Sequence, residues 1–137
     1  MLVIAGLDKR FGWGSLSPLW SPVGLILVVL GSVPSAWAIS LNPHFEPTVR
    51  IQEERGHRVI STGPYRYVRH PGYLSAILTS TATPLLLGTP WAFLPVGAII
   101  VVLVIRTALE DRVLRRELTG YREYAQRVRW RLFPGIW

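Results

Sequence analysis

A chain of 137 residues supplies one domain's worth of core and leaves no room for a second large one. Half of it is hydrophobic and its mean hydropathy is +0.32, yet its formal charge is +7 and its isoelectric point lies near 10.8. Cysteine is absent, which excludes disulfides, thiolate metal sites and cysteine nucleophiles.

Charge and hydropathy are segregated along the chain. Leu19 to Ile39 and Tyr73 to Ile105 carry no charged side chain, while arginines gather in Arg50 to Arg69 and Arg106 to Arg131. That pattern predicts membrane spans with basic flanks. A nucleic-acid surface would need its basic residues on a soluble module, and none is visible, so no nucleic-acid partner is expected. The three histidines, His44, His57 and His70, have no metal-ligand spacing, and no metal is expected.

In chain order, Met1 to Arg10 places its apolar residues before Asp8-Lys9-Arg10. A signal peptide has the reverse order, so none is predicted. Gly6 to Trp13 reads as a loop between two helices. Gly12-Trp13-Gly14 has no strand before it and is not a nucleotide-binding fingerprint. A first span is predicted over residues 19–41, close to the roughly 20 residues a crossing helix needs. Pro22 is tolerated in its first turn and Pro34 is expected to kink it. Asn42-Pro43-His44-Phe45 supplies turn chemistry, and the charged stretch Glu46 to Arg69 follows.

Thr62 to Tyr73 reads Thr-Gly-Pro-Tyr-Arg-Tyr-Val-Arg-His-Pro-Gly-Tyr. Proline disfavours helical geometry in the residue before it and suits the first turn of a helix after it. Arg69 and His70 are therefore expected at a helix N-terminus, where dipole and free N–H groups favour an anionic or polar group. On composition alone, arginine reaching lipid phosphate within an aromatic belt explains the stretch as well as a ligand site does.

The uncharged run of 33 residues from Tyr73 is too long for one span and suits a hairpin of two short ones, 73–87 and 91–106. Leu87-Gly88-Thr89-Pro90-Trp91 supplies the break, with Trp91 at an interface, and Pro84 and Pro95 are expected to add kinks. The hairpin returns the chain to the side it left. Both arginine-rich segments, 42–72 and 107–137, then face the cytoplasm by the positive-inside rule.

Beyond Arg106, the helix is expected to continue with an apolar stripe of Leu109, Val113, Leu114 and Leu118, stopping at Gly120. Glu110-Asp111 sit among basic residues. On the residues alone they are best read as i,i+4 partners of Arg106 and Arg115 on a solvated face. Tyr121 and Tyr124 open a short amphipathic helix carrying Val128. Trp130, Leu132, Phe133 and Trp137 then read as an aromatic tail that seeks the membrane interface.

The segment from Gly63 to Tyr73, two short apolar spans, Glu110-Asp111, Gly120-Tyr121-x-x-Tyr124 and Pro134 together resemble the isoprenylcysteine carboxyl methyltransferase family. They are similar, more distantly, to the membrane phospholipid methyltransferases. The resemblance covers about Leu41 to Trp137. Aspartate stands at 111 where a second glutamate is common, and Ser75 where a glycine often follows. Family members usually carry further helices before the equivalent of Leu19, so a shortened or late-starting member is expected.

The resemblance implies one all-α integral membrane domain over residues 1–137: a bundle of about three transmembrane helices plus C-terminal amphipathic helices. It implies a methyltransferase using S-adenosyl-L-methionine at the cytoplasmic face. It assigns cofactor contacts to Tyr65, His70, Pro71, Tyr73, Glu110, Asp111 and Tyr124, and so reverses the solvated-face reading of Glu110. Methyl transfer is an in-line displacement that positioning accelerates. A carboxylate acceptor is already ionised and needs a cation, for which Arg69 is the first choice. An amine acceptor would need a proton acceptor, His70 or Glu110. Arg69 and Glu110 are thus the expected catalytic residues. The expected acceptor is a lipid-like or prenylated carboxylate entering from membrane lipid. The alternatives are phospholipid N-methylation and a catalytically inactive membrane protein of the same fold.

Overall fold

The computed structural model describes residues 1–42 and 58–137. Among these residues the structure is all helical, with no strand. Residues 43–45 of the expected turn, with His44, and residues 46–57 of the charged stretch, with Arg50 and His57, lie outside the described residues. The described residues form five α-helices: α1 (Leu2–Phe11), α2 (Ser21–Leu41), α3 (Pro71–Leu87), α4 (Phe93–Glu117) and α5 (Tyr121–Arg127). Short 3-10 turns at Pro18–Trp20, Gly63–Arg66 and Pro90–Ala92 each have proline at their start.

Among the described residues, two helical stretches are long and apolar enough to cross a membrane, Pro18–Leu41 and Pro90–Glu117, with mean hydropathies of 2.0 and 2.4. Only 17% of either window is buried within the protein, unlike the core helix of a soluble domain, so their apolar surface faces outward. The 17 residues of α3 rise about 26 Å, at the lower limit for a span. Its Thr79 and Thr81 hydroxyls donate to the carbonyls of Ser75 and Ile77, four residues back, at 2.9 and 2.8 Å. Polar side chains are thereby satisfied without leaving the helix.

Two corrections concern the ends. Residues 6–11, expected as a loop, belong to α1, which closes where the Gly12 N–H donates to the Asp8 carbonyl at 2.8 Å. Pro95, expected to kink its helix, is the third residue of α4, where proline removes no helical hydrogen bond. Pro34 and Pro84 do lie inside their helices.

The chain divides into two compact units. The first comprises Met1–Val33 and Ser75–Leu103. Its polar centre is Asp8, which is buried and accepts hydrogen bonds from the Gly14 N–H at 2.9 Å and from the Thr89 hydroxyl. The Leu16 N–H adds a bond to the Gly88 carbonyl, so the loop after α1 is fastened to the turn before α4. In the same unit α2 and α3 approach closely at Gly31. A Cβ there would lie 2.7 Å from Thr79 Cγ2 and 3.0 Å from the Ser75 carbonyl oxygen.

The second unit comprises Pro34–Leu74 and Val104–Trp137. Ala38, Tyr65, Leu118, Tyr121, Tyr124 and Ala125 form its core, flanked by Val59, Ile60, Leu114 and Val128. Gly120 makes the corner between α4 and α5 with φ of 81°, a value glycine adopts freely. Of the expected apolar stripe, Leu118, directly after α4, is buried but Leu109 is 51% exposed, because it lies off the face of α4 that carries Leu114. The expected aromatic tail is partly folded onto this unit, with Trp130 left 36% exposed. Leu132 is buried, and the Trp137 carbonyl accepts from the N–H groups of Arg131 and Leu132 at 2.8 and 3.1 Å.

Candidate active site

The second unit holds the polar cluster. Proline at 71 ends the extended segment and starts α3, so the last free N–H groups before the helix are those of Arg69 and His70. Both point to the C-terminal segment: Arg69 N–H donates to the Trp130 carbonyl at 2.9 Å and His70 N–H to that of Arg131 at 3.0 Å. On α4, positions 106, 110, 111 and 115 recur at helical spacing and present their side chains to this segment.

Asp111 is the hub. Its Oδ1 accepts from Arg69 Nε at 2.7 Å and the Tyr121 hydroxyl at 3.1 Å. Its Oδ2 accepts from Arg69 Nη2 at 3.2 Å, Arg115 Nε at 2.9 Å and Arg131 Nε at 3.1 Å. Five donors exceed the roughly four lone-pair positions of a carboxylate, so this group is saturated within the chain. Arg69 is equally committed. Its Nη1 donates to the carbonyls of Val128 and Arg129 at 2.7 and 2.8 Å, and its side chain is 1% exposed.

Beside the hub lies a second, less saturated group. The Tyr73 hydroxyl donates to Glu110 Oε2 at 2.6 Å and accepts from Arg106 Nε at 2.7 Å. The His70 ring stacks on the Tyr73 ring, with centroids 5.9 Å apart and planes at 18°. His70 Nδ1 lies 3.8 Å from Glu110 Oε1, and Nε2 lies 3.6 Å from Asp111 Oδ1. Neither distance is a hydrogen bond. Buried His70 Nε2 has no hydrogen-bond partner among the described residues.

The tyrosines behind the cluster are fixed in the neutral form. Burial pushes the Tyr121 phenol far above its usual value, reinforced by the Asp111 charge. Burial does the same for Tyr124 and, more mildly, for Tyr65. The Tyr124 hydroxyl donates to the Tyr65 backbone carbonyl at 2.7 Å, and Asn42 Nδ2 donates to the Tyr65 hydroxyl at 3.0 Å.

The structure therefore brings Arg69, His70, Tyr73, Glu110 and Asp111 into one cluster. Pro71 is fully buried at the start of α3. Tyr65 and Tyr124 stand one layer back, Tyr124 packing edge-on against Tyr121 at 5.5 Å. Sequence reasoning paired Arg115 with Asp111, and that ion pair is present. It missed Arg131 and Tyr121 as partners of Asp111, and Tyr73 as the bridge between Arg106 and Glu110. The i,i+4 spacing of 106 and 110 was the available signal for the last; nothing local signalled Arg131.

Apolar helices with outward-facing surfaces and a basic, hydrogen-bonded cluster define a helical integral membrane protein. The model of the Isoprenylcysteine carboxyl methyltransferase (ICMT) family matches residues 24–116, and the chain belongs to that family. A probable protein-S-isoprenylcysteine O-methyltransferase of Oryza sativa subsp. indica is 30% identical over 127 residues, covering 89% of this chain and 66% of the rice protein. The protein-S-isoprenylcysteine O-methyltransferase of Saccharomyces cerevisiae is 29% identical over 106 residues, covering 77% of this chain and 42% of the yeast protein. The solved structure of the eukaryotic intramembrane Ras methyltransferase ICMT shares the fold with a TM-score of 0.70 at 24% identity, covering 93% of this chain and 47% of the solved one. The chain thus spans under two thirds of the length of these relatives.

Proposed function

We propose that this chain is an S-adenosylmethionine-dependent methyltransferase that methylates the carboxylate of a lipid-like or isoprenylated acceptor, with its site facing the cytoplasm. One observation carries the reading: stacked His70 and Tyr73 meet Glu110, and the buried His70 Nε2 has no partner among the described residues. An orphaned buried nitrogen costs free energy that a ligand atom recovers. Stacked rings beside a carboxylate suit a ligand that is aromatic, cationic and hydroxylated at once. The cofactor fits that donor set. Bound there, S-adenosylmethionine supplies a methyl group on a cationic sulfur whose charge vanishes on transfer.

His70, Pro71, Tyr73 and Glu110 hold the cofactor in this reading, and Tyr65 and Tyr124 back their wall. Asp111 and Arg69 position them, since their hydrogen-bonding capacity is taken up inside the chain. An acceptor carboxylate is ionised at neutral pH and needs a cation, not a base. Arg106 suits that role better than Arg69. Its Nε is held by the Tyr73 hydroxyl, and no hydrogen bond among the described residues engages its terminal amino groups. It is also the first charge after the uncharged run from Tyr73, where an acceptor from the bilayer would present its head. That the relatives are protein-S-isoprenylcysteine O-methyltransferases by name supports an isoprenylated acceptor.

Purified in detergent, the full chain should bind S-adenosylhomocysteine saturably and transfer labelled methyl to a farnesylated cysteine peptide. His70→Ala and Glu110→Ala should each weaken that binding by about tenfold or more. Unchanged binding in both would refute the site. Label found in phospholipid headgroups and absent from the peptide would refute the carboxylate acceptor.

A further inference from the structure

We infer that the C-terminal segment 128–137, which lies beyond the family-model match, is a built part of the donor site, and that Arg131 is its positioning residue. This rests on the methyl-donor reading above.

The helix-starting proline leaves two N–H groups unsatisfied directly before α3, at the residues that set the His70 ring. Both are answered by the carbonyls of Trp130 and Arg131, a two-rung extended pairing. The Arg69 side chain returns two further bonds to Val128 and Arg129. Four hydrogen bonds thus tie two consecutive residues to four others about 60 positions later.

Arg131 is where this tie meets the acid. Its carbonyl receives His70 N–H, and its Nε binds Asp111 Oδ2 at 3.1 Å. Its own N–H is held by the Trp137 carbonyl, and its guanidinium lies 4.8 Å from the centroid of the Trp137 ring. One residue therefore fixes the backbone of His70 and the carboxylate 3.6 Å from His70 Nε2. Because Arg69 and Arg115 also hold Asp111, loss of the Arg131 side chain leaves the acid paired and the unit folded. What changes is the placement of the Asp111 carboxylate beside His70 Nε2, since the main-chain bond to His70 remains.

The full chain in detergent provides the test, with Arg131→Ala, Arg131→Lys and Trp137→Ala compared against exposed Arg127→Ala. The S-adenosylhomocysteine dissociation constant, the KM for each substrate, kcat and the melting midpoint are measured. Arg131→Ala is expected to raise the dissociation constant and the donor KM about tenfold while acceptor KM and melting midpoint stay near those of Arg127→Ala. Arg131→Lys should recover most of the loss. Trp137→Ala, which removes only the ring beneath the guanidinium, should fall between and carries the test if Arg131→Ala does not fold. A purely structural segment would lower the melting midpoint and leave the dissociation constant of the folded protein unchanged, and that result overturns the inference. No binding by the unaltered chain overturns the methyl-donor reading and this inference together. Normal binding by the unaltered chain, Arg131→Ala and Trp137→Ala overturns this inference alone.

Discussion

Asp111→Asn is the substitution the geometry makes most consequential, because it removes one charge and strands three. Asp111 receives Arg69, Arg115, Arg131 and the Tyr121 hydroxyl through its two oxygens. The amide keeps one acceptor oxygen and replaces the other with an NH2 group that faces N–H donors. Not all of these contacts carry equal weight. The side chains of Arg115 and Arg131 are 42% and 30% exposed, and water screens them. Arg69 and Asp111 are each 1% exposed at the side chain, and Arg69 cannot lose its proton.

Breaking one buried ion pair by removing a single partner costs about 3–5 kcal/mol, because the other charge stays buried and uncompensated. At about 3 °C per kcal/mol for a chain of this size, the melting midpoint should fall by roughly 10 °C. Thermal melting of the full chain in detergent measures this directly. Arg115→Ala should cost only about 1 kcal/mol by the same accounting, since its side chain is already wet. If Asp111→Asn melts within about 1 kcal/mol of the unaltered chain, the hub does not hold the second unit together and the reasoning fails.

Three further outcomes are expected. Tyr73→Phe removes the hydroxyl linking Arg106 to Glu110; it should cost about 1–2 kcal/mol of stability and weaken S-adenosylhomocysteine binding several-fold, and unaltered binding would remove Tyr73 from the site. Gly31→Ala should destabilise by about 1–3 kcal/mol through its contact with Thr79 and the Ser75 carbonyl, whereas Gly97→Ala, which meets nothing within 4 Å, should stabilise α4 by up to about 1 kcal/mol; equal shifts in melting would refute the close approach of α2 and α3. Tyr121 and Tyr124 hold their protons to higher pH than an unfolded chain does, so the folded state binds more protons above about pH 10. Stability should be constant below that pH and decline above it by at most about 1.4 kcal/mol per pH unit for each tyrosine, and Tyr124→Phe should flatten the decline.

The helices were legible because the uncharged runs are long and the punctuation is strong. Proline at 71 and glycine at 120 mark boundaries that the structure keeps. The misread element was α1. Gly6 and Gly12 around three charged residues look like a loop, and local propensity alone supports that. What makes the segment helical is answered far away: Asp8 is satisfied by Thr89, 81 positions later. A buried aspartate with its partner across the sequence leaves no local trace.

The same physics separates the two arginines. An arginine beside an apolar run can reach lipid, hold a ligand or cross-link the chain, and the sequence offers all three for Arg69. The choice is made by where the backbone carbonyls of 128 and 129 fall, and by an aspartate 42 positions on. Those groups bind Nε and both terminal nitrogens of its fork, so its charge is answered before any acceptor arrives. Arg106 differs through a single phenol. Tyr73 holds its Nε, which orients the guanidinium, and no hydrogen bond among the described residues engages its terminal amino groups. Which of the two arginines keeps donors open among the described residues is a property of the fold that residue type and spacing do not encode.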